Sequence, residues 1–355
     1  MARKRTLIIF TVVPVLLLLF SAGGYFGYKT WQEHRFLTVP PETPGHEAVF
    51  RVEPGQSLWT IARNLKKQGL VTDARRFVAL ATLRKDTGRV RAGQFRLHTG
   101  WIPDSILNEL TTSPGIMQRV SVREGLTWWA TAAVIEKAGI GTAETFEKAV
   151  FDRSLLDKYD IPANSAEGYL FPETYLLTPP TDDQARAMAE TMIREFLKNA
   201  RNLWPGGLPP AEELHRIVIL ASLVEKETGA AHERERIAGV FANRLKKRML
   251  IQADPTIIYG LGPQFDGDIR KSHLQDRDNP YNTYTHPGLP PGPICSPGLE
   301  SLRAAAFPEP HGYLYFVAKG DGTHHFSRTL MEHNKAVARY QLRRNRSTYR
   351  STISE

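Results

Sequence analysis

The sequence predicts an α+β chain in three parts: a membrane-spanning helix, one or two small α+β modules, and a larger C-terminal α+β domain. Three observations carry this reading. An uncharged, mostly apolar run extends from Leu7 to Tyr28, and a strand–turn–helix pattern occurs twice at a fixed spacing. Further on, two strongly helical segments precede a long Pro- and Gly-dense stretch, a short strand and a closing helix.

The N-terminal element rests on length and charge. Basic Arg3, Lys4 and Arg5 precede the apolar run. A helix needs about 20 apolar residues to cross a bilayer core, and this run meets that length. Positive charge on the short leading side predicts that residues 1–6 stay in the cytoplasm while the rest crosses. The alternative is a cleaved leader over Leu7 to Phe20, but Ser21 to Gly24 supplies no clean small-x-small cleavage site. An uncleaved anchor over 7–28 is therefore expected. Residues 29–47 carry Pro40, Pro41, Pro44 and Gly45 and read as a semi-extended linker.

The repeat is visible without any comparison. Val52, Gly55, Ser57, Trp59, Ala62, Leu65, Lys67, Gly69 and Leu70 recur as Val122, Gly125, Thr127, Trp129, Ala132, Ile135, Lys137, Gly139 and Ile140, with an offset of 70 throughout. A short strand enters a turn at Gly55 or Gly125. Ser57 or Thr127 is then placed as a helix N-cap, and Gly69 or Gly139 as the stop. Gln94 to Leu97 predicts a second strand and Pro103 to Leu110 a short helix. The first module is assigned to residues 48–118. A second α+β module with a helical connector, Thr181 to Asn202, is assigned to 119–204.

The breaker cluster Pro205, Gly206, Gly207, Pro209, Pro210 opens the final domain, 205–345. Its first helix is predicted over Glu212 to Thr228, a segment without Gly or Pro, and its second over Glu235 to Arg248. Asp254 to Gly298 is long and loop-rich, and loops of that length are usually functional or disordered. Tyr313 to Ala318 reads as a buried strand, Thr329 to Arg343 as a closing helix, and 346–355 as a tail.

Composition narrows the function classes. The chain has 355 residues, 41% hydrophobic and 23% charged, enough for a sizeable core, with a formal net charge of +9. The basic residues are scattered and partly terminal, and no nucleic-acid-binding motif accompanies them, so nucleic acid is not an expected partner. The single cysteine, Cys295, forbids an intramolecular disulfide. His232-Glu233 lacks the second histidine of a zinc-protease helix, and His324-His325 has no ligand set at metal spacing. Neither a metal nor a cofactor is expected. No Gly-x-Ser-x-Gly elbow is present.

The chemistry-bearing segment is Leu220-Ala-Ser-Leu-Val-Glu-Lys-Glu-Thr228. Glu225 and Glu227 lie about 200° apart on a helix, so they cannot share one cleft. Glu227 lies about 50° from the summed apolar direction and Glu225 about 105°. Glu227 is thus better placed for partial burial, which raises a carboxyl pKa toward the value a general acid needs at neutral pH. The same glutamate also fits a helix-terminal ion pair. Tyr281, Tyr284, Asn282 and Asp254 form an aromatic–polar mixture common in carbohydrate clefts and in ordinary turns.

These segments resemble the endolytic murein transglycosylase (YceG-like) family. The resemblance is carried by the helix above and by Ile237-Ala-Gly-Val-Phe-Ala-Asn-Arg-Leu245, Ile251-Gln-Ala-Asp-Pro-Thr-Ile-Ile-Tyr-Gly260 and Tyr281-Asn-Thr-Tyr284. Gly288-Leu-Pro-Pro-Gly-Pro-Ile294, Ser296-Pro-Gly298, Tyr313-Leu-Tyr-Phe-Val317 and, upstream, Glu167-Gly-Tyr-Leu-Phe-Pro-Glu-Thr-Tyr175 continue it. The first module also resembles LysM-type glycan-binding units, with a purely structural spacer as the other reading.

The resemblance implies a lyase that cleaves the β-1,4 bond between N-acetylmuramic acid and N-acetylglucosamine and leaves a 1,6-anhydro end. The family's catalytic glutamate falls in Glu-Lys-Glu. It is assigned to Glu227, because Glu before a small hydroxyl residue resembles the Glu-Ser of lysozyme-like lytic transglycosylases; Glu225 is the alternative. Gln252, Asp254, Asn282 and Tyr284 are expected to orient substrate and stabilise an oxocarbenium-like centre, and Glu167 and Tyr175 to support the substrate cleft or hold the preceding module against it. Family membership implies an inner-membrane location, peptidoglycan strands as substrate and wall synthases as partners. A hydrolytic muramidase and an inactive wall-binding scaffold remain the competing readings.

Overall fold

The computed structural model describes residues 2–178 and 183–342, with residues 2–19 and 342 described by backbone only. The tail 346–355 and the first residues of the predicted 181–202 helix lie outside the described residues. The chain forms two compact units. One runs to Gln118 and takes back residues 176–178; the other begins at Arg119.

The first unit contains α1 (Ala2–Thr38), β1 (Glu47–Val52), α2 (Leu58–Lys67), α3 (Ala74–Leu83), β2 (Gly93–His98) and α4 (Pro103–Thr112). The apolar run 7–28 falls within α1, but the side chains of residues 7–19 lie outside those described. Among the described residues no helix is long and apolar enough to cross a membrane. The helix does not stop at Tyr28, where a linker was expected. It continues to Thr38 because residues 29–38 contain no Gly or Pro, and Phe36 is buried in the unit's core. Arg76 Nη1 donates to the Gln32 carbonyl at 3.1 Å and holds this extension in place. Pro40 then disfavours helical backbone at Val39.

Strands β1 and β2 pair antiparallel with Phe50 opposite Phe95, and both rings are fully buried. A two-stranded sheet is marginal alone. Here α2, α3 and α4 cover it with Ile61, Leu65, Phe77, Ile106 and Leu110.

The second unit repeats the opening pattern: β3 (Gln118–Ser121), α5 (Trp128–Lys137), α6 (Ala143–Val150), α7 (Arg153–Lys158) and β4 (Thr174–Leu177), with β3 paired to β4. The two copies match in detail. Ser57 and Thr127 each accept the backbone N–H three residues on, from Thr60 and Ala130. Gly55 and Gly125 have φ of 74° and 75°, and Gly69 and Gly139 71° and 68°. That is the left-handed region in which side chains with a Cβ are strained.

The unit continues with α8 (Ala185–Leu203), α9 (Ala211–Glu227), α10 (Arg234–Lys246), α11 (Asp254–Leu261), α12 (Lys271–Gln275), α13 (Leu299–Ala306), β5 (Tyr315–Ala318), β6 (His324–Ser327) and α14 (Leu330–Val337). α9 is its centre. Every residue from Val218 to Val224 is buried, so the helix is enclosed all round rather than on one face. It packs against α10, α11 and α13. The long Pro/Gly region is ordered around α11 and α12, with Asn282 buried at its heart. β5 and β6 form an antiparallel hairpin, Val317 opposite His325.

Candidate active site around the end of α9

α9 delivers both glutamates at its C-terminus. The helix ends where the Thr228 backbone leaves helical geometry at φ −91°, ψ 111°, and the Thr228 hydroxyl donates back to the Val224 carbonyl at 2.6 Å.

The two carboxylates then diverge, as a separation of about 200° requires. Glu225 turns to the start of α13, where the Gly298 N–H donates to its Oε2 at 3.1 Å. A carboxylate at a helix N-terminus is favourably paired with the exposed amides. Glu227 is half-buried and accepts no hydrogen bond from the described residues. Burial raises its pKa to about 7, the charge of Asp254 adds to the rise, and Arg244 opposes it. Its place at a helix C-terminus works in the same direction as burial, because the helix dipole disfavours negative charge there.

Three side chains complete this surround. Asp254 opens α11, with Pro255 in the first turn. The Tyr284 hydroxyl donates to Asp254 Oδ1 at 2.6 Å. Burial, Asp254 and the nearby Glu227 all push the Tyr284 phenol up. Arg244 lies buried on α10, donating from Nε to the Leu314 carbonyl at 2.6 Å and from Nη1 to the Ile251 carbonyl at 2.7 Å. Its guanidinium stands 5.2 Å from the Tyr315 ring centre.

The other residues singled out from the sequence fall in different places. Gln252 is exposed beside Asp254. Its backbone, at φ 52°, is tied down by its N–H donating to the Thr283 carbonyl at 3.1 Å. Thr256 and Thr283 hydroxyls meet at 2.9 Å beneath it. Asn282 was expected to touch substrate, but it is fully buried. Its amide nitrogen donates to the Asp276 and His273 carbonyls at 2.6 and 3.1 Å, and its oxygen accepts from Tyr284 N at 3.0 Å. With both ends of the amide committed, it holds the loop that carries Tyr284. Tyr175 is buried and donates to the Phe171 carbonyl at 2.7 Å, closing its own turn.

Glu167 is almost completely buried. Trp128 N, the first amide of α5, donates to its Oε2 at 2.9 Å, and Gly168 N to Oε1 at 3.3 Å. Burial raises its pKa to about 8, although these amides and a hydrogen bond with Tyr259 pull the other way. Cys295 is also buried, its thiol donating to the Ser222 carbonyl at 3.4 Å, and burial pushes that thiol up.

Sequence reasoning missed Arg244 as a site residue. The signal was there: Ile237, Val240, Phe241 and Arg244 fall on one helical stripe, and the first three are buried apolar residues. A charged residue on such a stripe needs partners, which the carbonyls, Tyr315 and the charge of Glu227 supply.

The site thus presents a carboxyl poised near neutrality on an enclosed helix, flanked by a second carboxylate, a phenol and a fixed guanidinium. This is the equipment of an acid–base enzyme. The chain belongs to the YceG-like family, whose pattern matches residues 50–339. Among its relatives, the endolytic murein transglycosylase of Bacillus subtilis is 31% identical over 334 residues, covering 90% of each chain. Proteins of the same name from two strains of Streptococcus pneumoniae are 28% identical; they cover 92% of this chain, which spans 64% of their length. The crystal structure of a yceG-like protein from Listeria monocytogenes aligns with a TM-score of 0.55 at 29% identity, covering 81% of this chain and 98% of that one.

Proposed function

We propose that this chain is a lytic transglycosylase that cuts the β-1,4 bond between N-acetylmuramic acid and N-acetylglucosamine within nascent peptidoglycan strands, ending their elongation. One observation carries the reading: Glu227 ends the enclosed helix α9 under the charges of Asp254 and Arg244, accepts no hydrogen bond from the described residues, and is pushed up by burial to about 7. A carboxyl tuned to the working pH can give and take a proton with comparable ease.

Both transfers are assigned to Glu227. Protonated, it donates to the glycosidic oxygen as the bond to the muramyl anomeric carbon breaks. Ionised, it takes the proton of the muramyl 6-hydroxyl as that oxygen bonds to the anomeric carbon. The carboxyl is regenerated, no water is consumed and the product is a 1,6-anhydro sugar. Most glycosidases divide these tasks between two carboxyls. Asp254 and Tyr284 are assigned to positive charge developing at the anomeric carbon and to substrate orientation, with Gln252 at the rim. Asn282, Glu167 and Tyr175 are assigned to support. Glu225, the alternative acid, is disfavoured by its bond to Gly298.

In this reading residues 205–345 form the catalytic domain, 119–204 buttress it, and the βααβ part of 48–118 is a LysM-like module. Residues 7–28 anchor the enzyme in the inner membrane with residues 1–6 in the cytoplasm, beside the wall synthases. The run's length and the leading Arg3, Lys4 and Arg5 support that orientation.

The test is digestion of purified peptidoglycan by the full chain and by its Glu227→Gln and Glu225→Gln variants. Soluble fragments lost only with Glu227→Gln support the assignment. Fragments lost only with Glu225→Gln would transfer the role to that residue, and none from the parent protein would leave a binding scaffold.

A further inference from the structure

Five aromatic rings form an unbroken ladder on the second unit. Phe151 stands 5.4 Å from Trp128, Trp128 5.6 Å from Trp129, Trp129 5.0 Å from Tyr259, and Tyr259 4.8 Å from Tyr281, centre to centre. These rings come from α5, the end of α6, α11 and the loop after α12, four segments far apart in sequence. None belongs to the buried core: Phe151 is 46% exposed and the other four are half-buried. A contiguous apolar patch that keeps partial access to solvent is a recurrent mark of a binding surface.

The ladder shares two chain segments with the candidate reaction centre. Tyr259 shares α11 with Asp254, and Tyr281 shares its loop with Tyr284, whose hydroxyl holds Asp254. Buried Glu167 fastens the ladder from below. It accepts from the Trp128 backbone at 2.9 Å and hydrogen-bonds the Tyr259 hydroxyl, so one carboxyl ties α5 to α11.

We infer that Phe151, Trp128, Trp129, Tyr259 and Tyr281 form a stacking ledge for the N-acetylated pyranose rings of the strand on one side of the scissile bond. This rests on the proposed function and extends it from the bond cut to how the strand is held. An enzyme that cuts inside a polymer must grip several units away from the reacting one. Rigid aromatic faces offer large apolar contact at little conformational cost, and the apolar faces of sugar rings match them. Glu167 is in this scheme a positioning residue that never meets substrate.

The ledge is tested in the full chain in detergent, silenced by Glu227→Gln and titrated with peptide-free, uncrosslinked glycan strands. Trp129→Leu keeps apolar volume and removes the ring face; it should weaken binding at least five-fold, while Trp129→Phe restores most of it. A smaller loss with Trp129→Leu overturns the ledge. Tyr281→Leu gives the same reading should Trp129→Leu fail to fold. Cleavage by the unsilenced chain is scored in parallel. Normal cleavage with unaltered binding in the leucine variants rejects the ledge and leaves the reaction centre standing. No cleavage and no binding by the parent protein rejects both.

Discussion

The Tyr284 hydroxyl donates to Asp254 Oδ1 across 2.6 Å and so pins the first residue of α11 to a loop 30 residues away. The bond fixes the carboxylate whose charge helps hold the Glu227 proton in place. Asp254 lies where a helix N-terminus favours negative charge, and Glu227 where a helix C-terminus disfavours it. Burial and the charge of Asp254 together raise the Glu227 carboxyl toward the protonated form that a general acid needs.

Asp254→Asn removes that charge and retains an oxygen to accept from Tyr284. Since the Asp254 charge raises the Glu227 pKa, its loss lowers it, and less of the acid is protonated at neutrality. The alkaline limb of the pH–activity profile, near 7 in the parent protein, should move to lower pH. An unmoved limb in an active variant would detach Asp254 from the acid.

Glu227→Gln leaves a side chain of nearly the same shape that can neither give nor accept the catalytic proton. Turnover should fall by roughly 10²–10⁴-fold, the contribution usual for positioned acid–base groups. The melting temperature should hold or rise, since a half-buried carboxyl that is costly to ionise gives way to a neutral amide. A variant as active as its parent would reassign the acid.

Glu167 gives a pH-dependent stability. Its folded pKa of about 8 exceeds the ordinary carboxyl value of 4.5, so the folded state binds the proton more tightly. The stability it contributes is complete below 4.5 and is lost as pH rises through 8. Glu167→Gln cannot ionise and escapes that loss. The melting-temperature deficit of Glu167→Gln against the parent should therefore shrink between pH 5 and pH 8. A deficit constant across that range would show that the carboxyl does not titrate there.

Gly168 follows Glu167 at φ 83°. A Cβ there would stand 2.6 Å from Pro293 and 2.7 Å from Val218. Gly168→Ala should cost about 2–3 kcal/mol from strain and overpacking, read in denaturant unfolding. A loss below about 0.5 kcal/mol, the range of ordinary surface substitutions, would contradict this packing.

Local features were the most legible from sequence. Ser57 and Thr127 announced their helices because an N-cap acts within three residues, and Gly55, Gly69, Gly125 and Gly139 marked turns in the left-handed backbone region that favours glycine. The 212–228 helix was equally plain, its observed limits being Ala211–Glu227. The divergence of Glu225 and Glu227 followed from helical geometry alone. What they diverge toward did not, because Gly298, Asp254 and Arg244 arrive from other segments. Asn282 illustrates the limit. Its composition-based place among carbohydrate-cleft residues was reasonable, yet its amide is consumed by three backbone groups of a fold-back loop that no periodicity encodes. The ring ladder was invisible for the same reason, being assembled from four separated segments.

The decisive measurement is the mass of the new glycan ends released from purified peptidoglycan by the full chain. Closure of the muramyl 6-hydroxyl onto the anomeric carbon gives 1,6-anhydro ends, one water lighter than reducing ends, and Glu227→Gln should abolish them. Reducing ends released by the parent protein and lost in the variant would mean that water, not the 6-hydroxyl, is the acceptor, and would contradict the single-carboxyl lytic mechanism.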